Sequence, residues 1–402
     1  MGGLPRLVLA EGLSVAGDWV LFTAASIAVF RETGSTVAVS VLWAFVAFPT
    51  VVLGPIAGAA ADRYDRRRLM IGSDILSAAV LGLCLLVVSS GFTLAGVYAS
   101  VLVVNVLATF HRPASEALLP SLAGGENIGR ANSALRMATR LAMIGGPAVA
   151  SGLTTVGGFG LVLAVDAVTF LGSSALIAGI VGARVVHDGP HVDSPFRGAL
   201  AGLTYARNHG RVRTIIGAVG VTMLVAPIVN AGTLALVSDA LQLPESRYGI
   251  LLAAEGAGAL ALALLFTYLG PRIPLLPTGA AALLTTGGAT VALGLSPGMA
   301  MAIASMVVMG MGVVGLQVAF ASYLQRQTPD EFRGRVMGLV SMVSSVGALL
   351  GLAAAGPFVY LLGVRAAFAL AGVLICLSAI PVLLLLRQPG ALNADSVASE
   401  VA

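Results

Sequence analysis

The chain has 402 residues, 58% hydrophobic and 10% charged, with mean hydropathy +0.98 and a formal net charge of +4. A soluble domain carries about 25% charged residues, so this composition excludes a water-soluble enzyme, and arginines placed between apolar runs instead of on one basic face argue against nucleic acid. It specifies an all-α membrane protein, because apolar runs of about 20 residues or more cross a bilayer as helices and not as the short alternating strands of a barrel.

In chain order, spans are expected over 7–30, 36–61, 69–88, 93–118, 133–156 and 159–181. The first is too long and too acidic for a cleaved signal peptide. A polar linker, 184–213, follows, and 196–209 within it reads weakly as a helix on the membrane surface. The second half gives 214–237, 249–269, 275–295, 299–323, 336–362 and 365–386, then a polar tail, 387–402, expected to be disordered. The expectation is twelve transmembrane helices in two six-helix bundles, residues 1–183 and 214–386. Cys84 and Cys376 sit alone in different spans, with neither metal nor redox spacing, and read as small buried hydrophobes.

Arginine placement orients the chain. All 22 basic residues are arginine, which together with 50 glycines suggests a GC-rich bacterial genome. Only Arg31, Arg247 and Arg365 fall in loops on one side, and Arg112, Arg136 and Arg140 lie in or beside spans; the other sixteen lie in loops on the opposite side. By the positive-inside rule both termini face the cytoplasm, and a bacterial inner-membrane location is expected. An internal repeat supports the halving: Glu126, Gly129 and Arg130 recur as Glu331, Gly334 and Arg335, about 205 residues on. At that offset Arg67 meets Arg272, where Gly270-Pro271-Arg272 is a vestigial copy without acids. Repeated bundles about a membrane-normal axis are a transporter architecture.

The densest charge lies in 54–68. Gly54 and Gly58, four apart, allow a neighbouring helix to approach closely, and Asp62 at the helix end can accept from the backbone N–H groups of another helix N-terminus. Arg63, Arg66, Arg67 and Arg68 can pair with acids or lipid phosphates. The stretch is either a latch that stabilises one conformation or a topogenic cluster that holds its loop in the cytoplasm. In span five, Gly145, Gly146, Pro147 and Gly152 give a smooth, bendable face that either seals a path or serves ordinary small-residue packing.

The pattern Gly58-x-x-x-Asp62-Arg63-x-x-Arg66-Arg67 resembles motif A of the major facilitator superfamily, with Asp65 where that motif usually has glycine. The segment 145–152 is similar to the shortened motif C of exporters, with Ser151 in place of a glycine. Gly-Asp-Trp in span one, Arg-Pro-Ala at Arg112 and Gly-Arg-Ala-Asn at Gly129 most resemble the bacterial drug, macrolide and siderophore exporter branch. The resemblance covers essentially the whole chain and implies alternating access, with span eleven as the partner of the motif A latch.

Ionisable residues inside spans each need a partner or a watery cavity. Asp18, Arg112, Asp166 and Glu255 are the candidates for proton coupling or substrate contact, Asp18 and Arg112 first. Each has a structural alternative: Asp18 as a helix cap or a partner of Thr23, Arg112 as an anchor before Pro113, Asp166 as a tie to a neighbouring helix, and Glu255 as a hydrated vestibule group. Glu11 and Glu116 read as snorkelling or paired with Arg6 or Arg130. His111, the one intramembrane histidine, gives a histidine relay little support. Trp19 and Trp43 with Phe22, Phe45 and Phe48 offer a cation-binding wall.

No H-E-x-x-H, Walker A or nucleophile-elbow sequence occurs, so no enzyme is expected. The leading reading is a proton-coupled exporter of small, largely apolar compounds, working as a monomer without a cofactor beyond the proton gradient. Its expected partners are a small-molecule substrate, protons and membrane lipids, with no nucleic acid and no metal. Import or facilitated diffusion of a metabolite, and a membrane sensor or lipid-handling protein on the same fold, remain as alternatives.

Overall fold

The computed structural model describes residues 2–90, 94–123, 128–180, 203–269 and 273–387. The vestigial copy at 270–272, Glu126 of the repeat, most of the 184–213 linker and the tail after Arg387 lie outside the described residues. Among these residues the chain is helical apart from short connections, without strands.

The first crossings are α1 (Gly3–Thr33), α2 (Thr36–Arg63), α3 (Arg66–Ser90) and α4 (Leu94–Ala123). The next two come from one continuous element, Ile128–Ala178, 51 residues long and broken at Gly158, where φ is 64° and ψ is −164°. We number its limbs α5 (128–157) and α6 (159–178). The second half supplies α7 (Gly210–Ala235), extended by a π-helical turn (Leu236–Ala240), then α8 (Tyr248–Leu269), α9 (Leu275–Gly294), α10 (Met299–Gln327), α11 (Asp330–Leu362) and α12 (Val364–Leu386). The fold is thus a twelve-helix membrane fold, and the chain is a multi-pass membrane protein.

Local chemistry sets the turns. Gly34 ends α1 in the left-handed conformation, its N–H donating to Phe30 O, and the Ser35 side chain accepts from the Ala38 N–H to start α2. This stop-and-start pair needs no further loop. Asp65 Oδ1 accepts from the Arg68 N–H at 2.9 Å and opens α3 in the same way. Several helices outrun the apolar segments that announce them, as where α4 continues through Pro113 and Pro120 to Ala123. A helix satisfies its own backbone, so leaving the hydrocarbon gives it no reason to stop.

The chain divides into two compact units, Met1–Gly189 with Leu243–Ala253, and Pro190–Gln242 with Ala254–Ala402. The start of α8 belongs to the first because Gly249, lacking a side chain, rests on Pro147 O of α5. Within the first unit α1 is the central helix: 67% of its apolar window is buried, against 22% for α2. Polar groups on α1 therefore lie inside protein, while α2 and α3 turn Ile56, Leu83 and Leu86 outward as a lipid-facing surface does. In the second unit Tyr205 and Ala206, within a short helix at 203–208, pack onto a core built from α7, α9, α10, α11 and α12. Tyr205 stacks on Phe332 at 4.9 Å, so the described part of the expected surface helix is anchored to protein.

Gly158 occupies a region of backbone space open essentially to glycine alone, and among the described residues no atom lies within 4 Å of where a Cβ would sit. Gly158→Ala is therefore expected to lower stability through strain alone, by about 1–3 kcal/mol, read as a lower thermal unfolding midpoint in detergent.

Candidate functional site

The helical period puts Glu11, Ser14 and Asp18 on one stripe of α1. That stripe meets Ser73, Asp74 and Ser77 of α3 and His111 and Arg112 of α4 around a cavity of about 10 Å³, room for about one water. His111 bridges two acids: its Nδ1 lies 3.7 Å from Glu11 Oε2 and its Nε2 lies 3.3 Å from Asp74 Oδ1. All three are buried, Asp74 to 1% exposure. Asp18 Oδ1 and Asp74 Oδ2 are buried without a hydrogen-bond partner among the described residues. Three carboxylates thus gather around His111, while the exposed Arg112 lines the same small cavity without an ion pair to them among the described residues.

Asp166 on α6 is fully buried and sits against α1, where Gly17 leaves no room for a Cβ beside its carboxylate. Its Oδ1 accepts from Thr169 Oγ1 at 3.0 Å, while its Oδ2 has no partner among the described residues.

Several expectations are corrected. Glu11 does not pair with Arg6: it faces His111, and Arg6 Nη1 donates to Gly179 O instead. His111 is the hub of the polar cluster and not an isolated histidine. Asp74 was missed, although an aspartate between Ser73 and Ser77 in an otherwise apolar run carries the signal. The aromatic wall assembles only in part: Phe22 lies edge-on to Trp19 at 6.1 Å and to Trp43 at 4.4 Å, whereas Phe45 pairs with Tyr98 and Phe48 is exposed.

At the arginine-rich end, Arg66 Nη1 donates to Ala117 O at 2.9 Å, and Arg67 donates through Nε to Ile177 O at 3.0 Å and through Nη2 to Ala178 O. These arginines satisfy carbonyls near the ends of α4 and α6 instead of meeting acids, as the negative end of a helix dipole favours. Asp62 and Arg63 are exposed. Among the described residues no atom lies within 4 Å of where a Cβ would sit on Gly54 or Gly58, so no described helix makes the close approach expected there; the buried contacts of that end of α2 are made by Ala57 and Ala61. In the motif C segment Gly146 lies against α1, 3.1 Å from Ala16 O to its would-be Cβ, and Pro147 carries the contact to Gly249, whereas Gly145 and Gly152 are open.

The second unit holds the larger space, a cavity of about 460 Å³ walled by α7 to α12, within the range of drug-sized sites. Its walls are mainly apolar, with Met309, Met337 and Phe320 prominent and Asn230 and Gln317 among the few polar groups. Glu255 on α8 is the single ionisable side chain lining it among the described residues. Neighbouring glycines fix its place: Gly310 of α10 meets Glu255 O, and Gly258 of α8 meets Val307 O, so the two backbones touch.

The family described as transmembrane secretion effector matches residues 5–401. The chain belongs to this family of the major facilitator superfamily. It is a membrane transporter and not an enzyme. It is 29% identical over 386 residues to the multidrug efflux pump Tap of Mycobacterium tuberculosis, covering 92% of this chain and 90% of that protein. It is 25% identical over 358 residues to macrolide efflux protein A of Streptococcus pyogenes, covering 87% of each. Among solved structures, the nucleoside transporter NupG superposes with a TM-score of 0.76 at 12% identity, over 96% of this chain and all of that one, a likeness of fold alone.

The geometry separates arginines that hold helix ends in this transporter from those that do not. Arg63 makes no hydrogen bond or ion pair among the described residues. Arg67→Ala is expected to cost about 1.5 kcal/mol, the low end for a hydrogen bond to a charged group because the side chain is part-exposed, and Arg63→Ala less than about 0.5 kcal/mol. Thermal unfolding of the two variants in detergent checks the order.

Proposed function

We propose that this protein is an exporter of small, largely apolar compounds that works by alternating access in a bacterial cytoplasmic membrane. The observation that carries the reading is the cavity of about 460 Å³ in the second unit, roomy and apolar with one carboxylate. The names of the relatives at 25–29% identity, a multidrug and a macrolide efflux protein, support export. Both termini face the cytoplasm on this reading, which rests on the sixteen arginines gathered in loops on one side.

Export is driven by exchange with protons, and the first unit holds the proton. Asp18, Asp74 and Glu11 gather around His111 and Arg112, so the cluster carries more acid than fixed positive charge, and uptake of a proton relieves buried repulsion. Asp166 adjoins it through Gly17 of α1 and helps position that helix. Asp62 and Arg63 act as a latch in the conformational cycle. The protein works as a monomer, with no cofactor beyond the gradient.

In proteoliposomes with an imposed pH gradient, substrate-dependent proton movement is expected for the wild type and a loss of about tenfold or more for Asp18→Asn and Asp74→Asn, roughly the 1.4 kcal/mol of one lost charged contact. Pumping that survives both changes refutes the placement of the proton. Asp62→Asn is expected to slow turnover while leaving substrate affinity unchanged, as a latch requires and a topology signal does not.

A further inference from the structure

A separate cavity of about 110 Å³ lies in the second unit, between the end of α8, the start of α9 and the end of α10. One turn further in, the absent side chain of Gly315 on α10 leaves its space to Ala282 of α9 and Leu262 of α8, so the three helices converge there. Toward their ends they leave a notch, with Phe266 and Ala319 among its apolar walls. Small-molecule sites begin at roughly 300 Å³, so a space of about 110 Å³ takes only part of a molecule whose remainder lies along the outer surface. That surface is apolar: Leu264, Leu265 and Val318 are exposed, as on a face turned to lipid.

Polarity changes in order along the notch. Val318, Ser322 and Arg326 line it at helical spacing and share one stripe of α10, about 12 Å from first to last at about 1.5 Å per residue. The stripe runs from a hydrocarbon side chain through a hydroxyl to a guanidinium near the helix end. Among the described residues neither Ser322 nor Arg326 makes a hydrogen bond or an ion pair. Arg326 differs in this from Arg66, Arg67 and Arg365, whose donors meet backbone carbonyls. Thr278 also lines the notch, but its hydroxyl already donates to Pro274 O at 2.7 Å. Acyl chain, ester and phosphate follow one another in the same order in a phospholipid. On the orientation proposed above, Arg326 lies at the cytoplasmic surface, where a lipid of that leaflet holds its phosphate while its tail runs inward. Tyr268, 86% exposed near the end of α8, suits the headgroup level of the same leaflet.

We infer that this notch binds one phospholipid of net negative charge from the cytoplasmic leaflet. Arg326 holds the phosphate, Ser322 donates to an ester or phosphate oxygen, and part of one acyl chain lies against Phe266 and Ala319. The inference goes beyond the export reading and takes from it only the orientation. A guanidinium beside hydrocarbon offers several donors that an anionic headgroup fills, and the negative surface of the cytoplasmic leaflet supplies such headgroups. A zwitterionic headgroup brings its own cation close to Arg326 and gains less from it.

Native mass spectrometry tests this on the purified full-length protein, equilibrated in detergent with equal amounts of dioleoyl phosphatidylglycerol and dioleoyl phosphatidylcholine. The wild type is expected to retain phosphatidylglycerol over phosphatidylcholine by about tenfold, and Arg326→Gln to lose one bound phosphatidylglycerol. Arg326 is exposed, so this substitution leaves the core untouched. Arg326→Lys is expected to keep most of the retention, because an ammonium also binds phosphate as a point charge. Ser322→Phe fills the notch with Arg326 still in place and is expected to lose the same lipid. Arg130→Gln removes an exposed arginine from the first unit and is expected to keep it. Equal retention of the two lipids by the wild type, unchanged retention in Arg326→Gln or Ser322→Phe, or an equal loss in Arg130→Gln overturns the inference. So does displacement of the lipid by millimolar inorganic phosphate, which marks a site for free anions instead. None of these outcomes depends on transport, so the export reading stands or falls separately.

Discussion

Inside hydrocarbon no water is available to satisfy a polar group, and nearly every feature of this protein follows from that constraint. Helices meet it for most of the backbone, but their last carbonyls are left over. Arginines serve these ends. Arg6 and Arg67 cover Gly179, Ile177 and Ala178 at the end of α6, and Arg365 reaches Gly294, Ser296 and Ala240 in the second unit. A guanidinium suits the task because one side chain offers several donors in a fixed fork and remains charged. The same arginines that bias topology therefore also tie helix ends together, and the two roles cannot be told apart by counting charges.

Where polar groups lie deeper, the units solve the problem differently. The first gathers three acids around His111, about a space the size of one water, so more acids than cations meet there. The second encloses a chamber about forty-fold larger and leaves a single carboxylate in it. A compact cluster is suited to protons, which need no room, and an open chamber to a molecule, which does. On the proposed reading the two kinds of cargo occupy different units, and the exchange is coupled through motion of helices and not through competition for one carboxylate.

Glycine serves two distinct purposes here. Gly34 and Gly158 permit backbone angles that close turns between crossings. Gly17, Gly146 and Gly310 let helices touch where polar side chains are held in place, beside Asp166, Trp19 and Glu255 respectively. Gly54 and Gly58 do neither in this structure, since both face open space. A spacing of four is thus necessary for close helix packing and not sufficient for it, because the neighbour that would fill the notch comes from elsewhere in the chain.

The fold was legible in the sequence because length and hydropathy are local properties: apolar runs of bilayer length, separated by arginine-bearing loops, specify twelve helical crossings without any knowledge of packing. The placement of Asp18, Asp166 and Glu255 within spans was equally local. What tertiary structure alone decided is which of these charges meet. Glu11 and His111 are a hundred residues apart, and only tertiary packing brings them, with Asp74 of α3, into one cluster. Glu255 reads in sequence like any intramembrane acid, and only the packing of five other helices shows that no described cation lines its chamber. Hydrophobicity along a chain determines where helices run, whereas the pairing of charges depends on which faces of distant helices touch, and no local pattern encodes that.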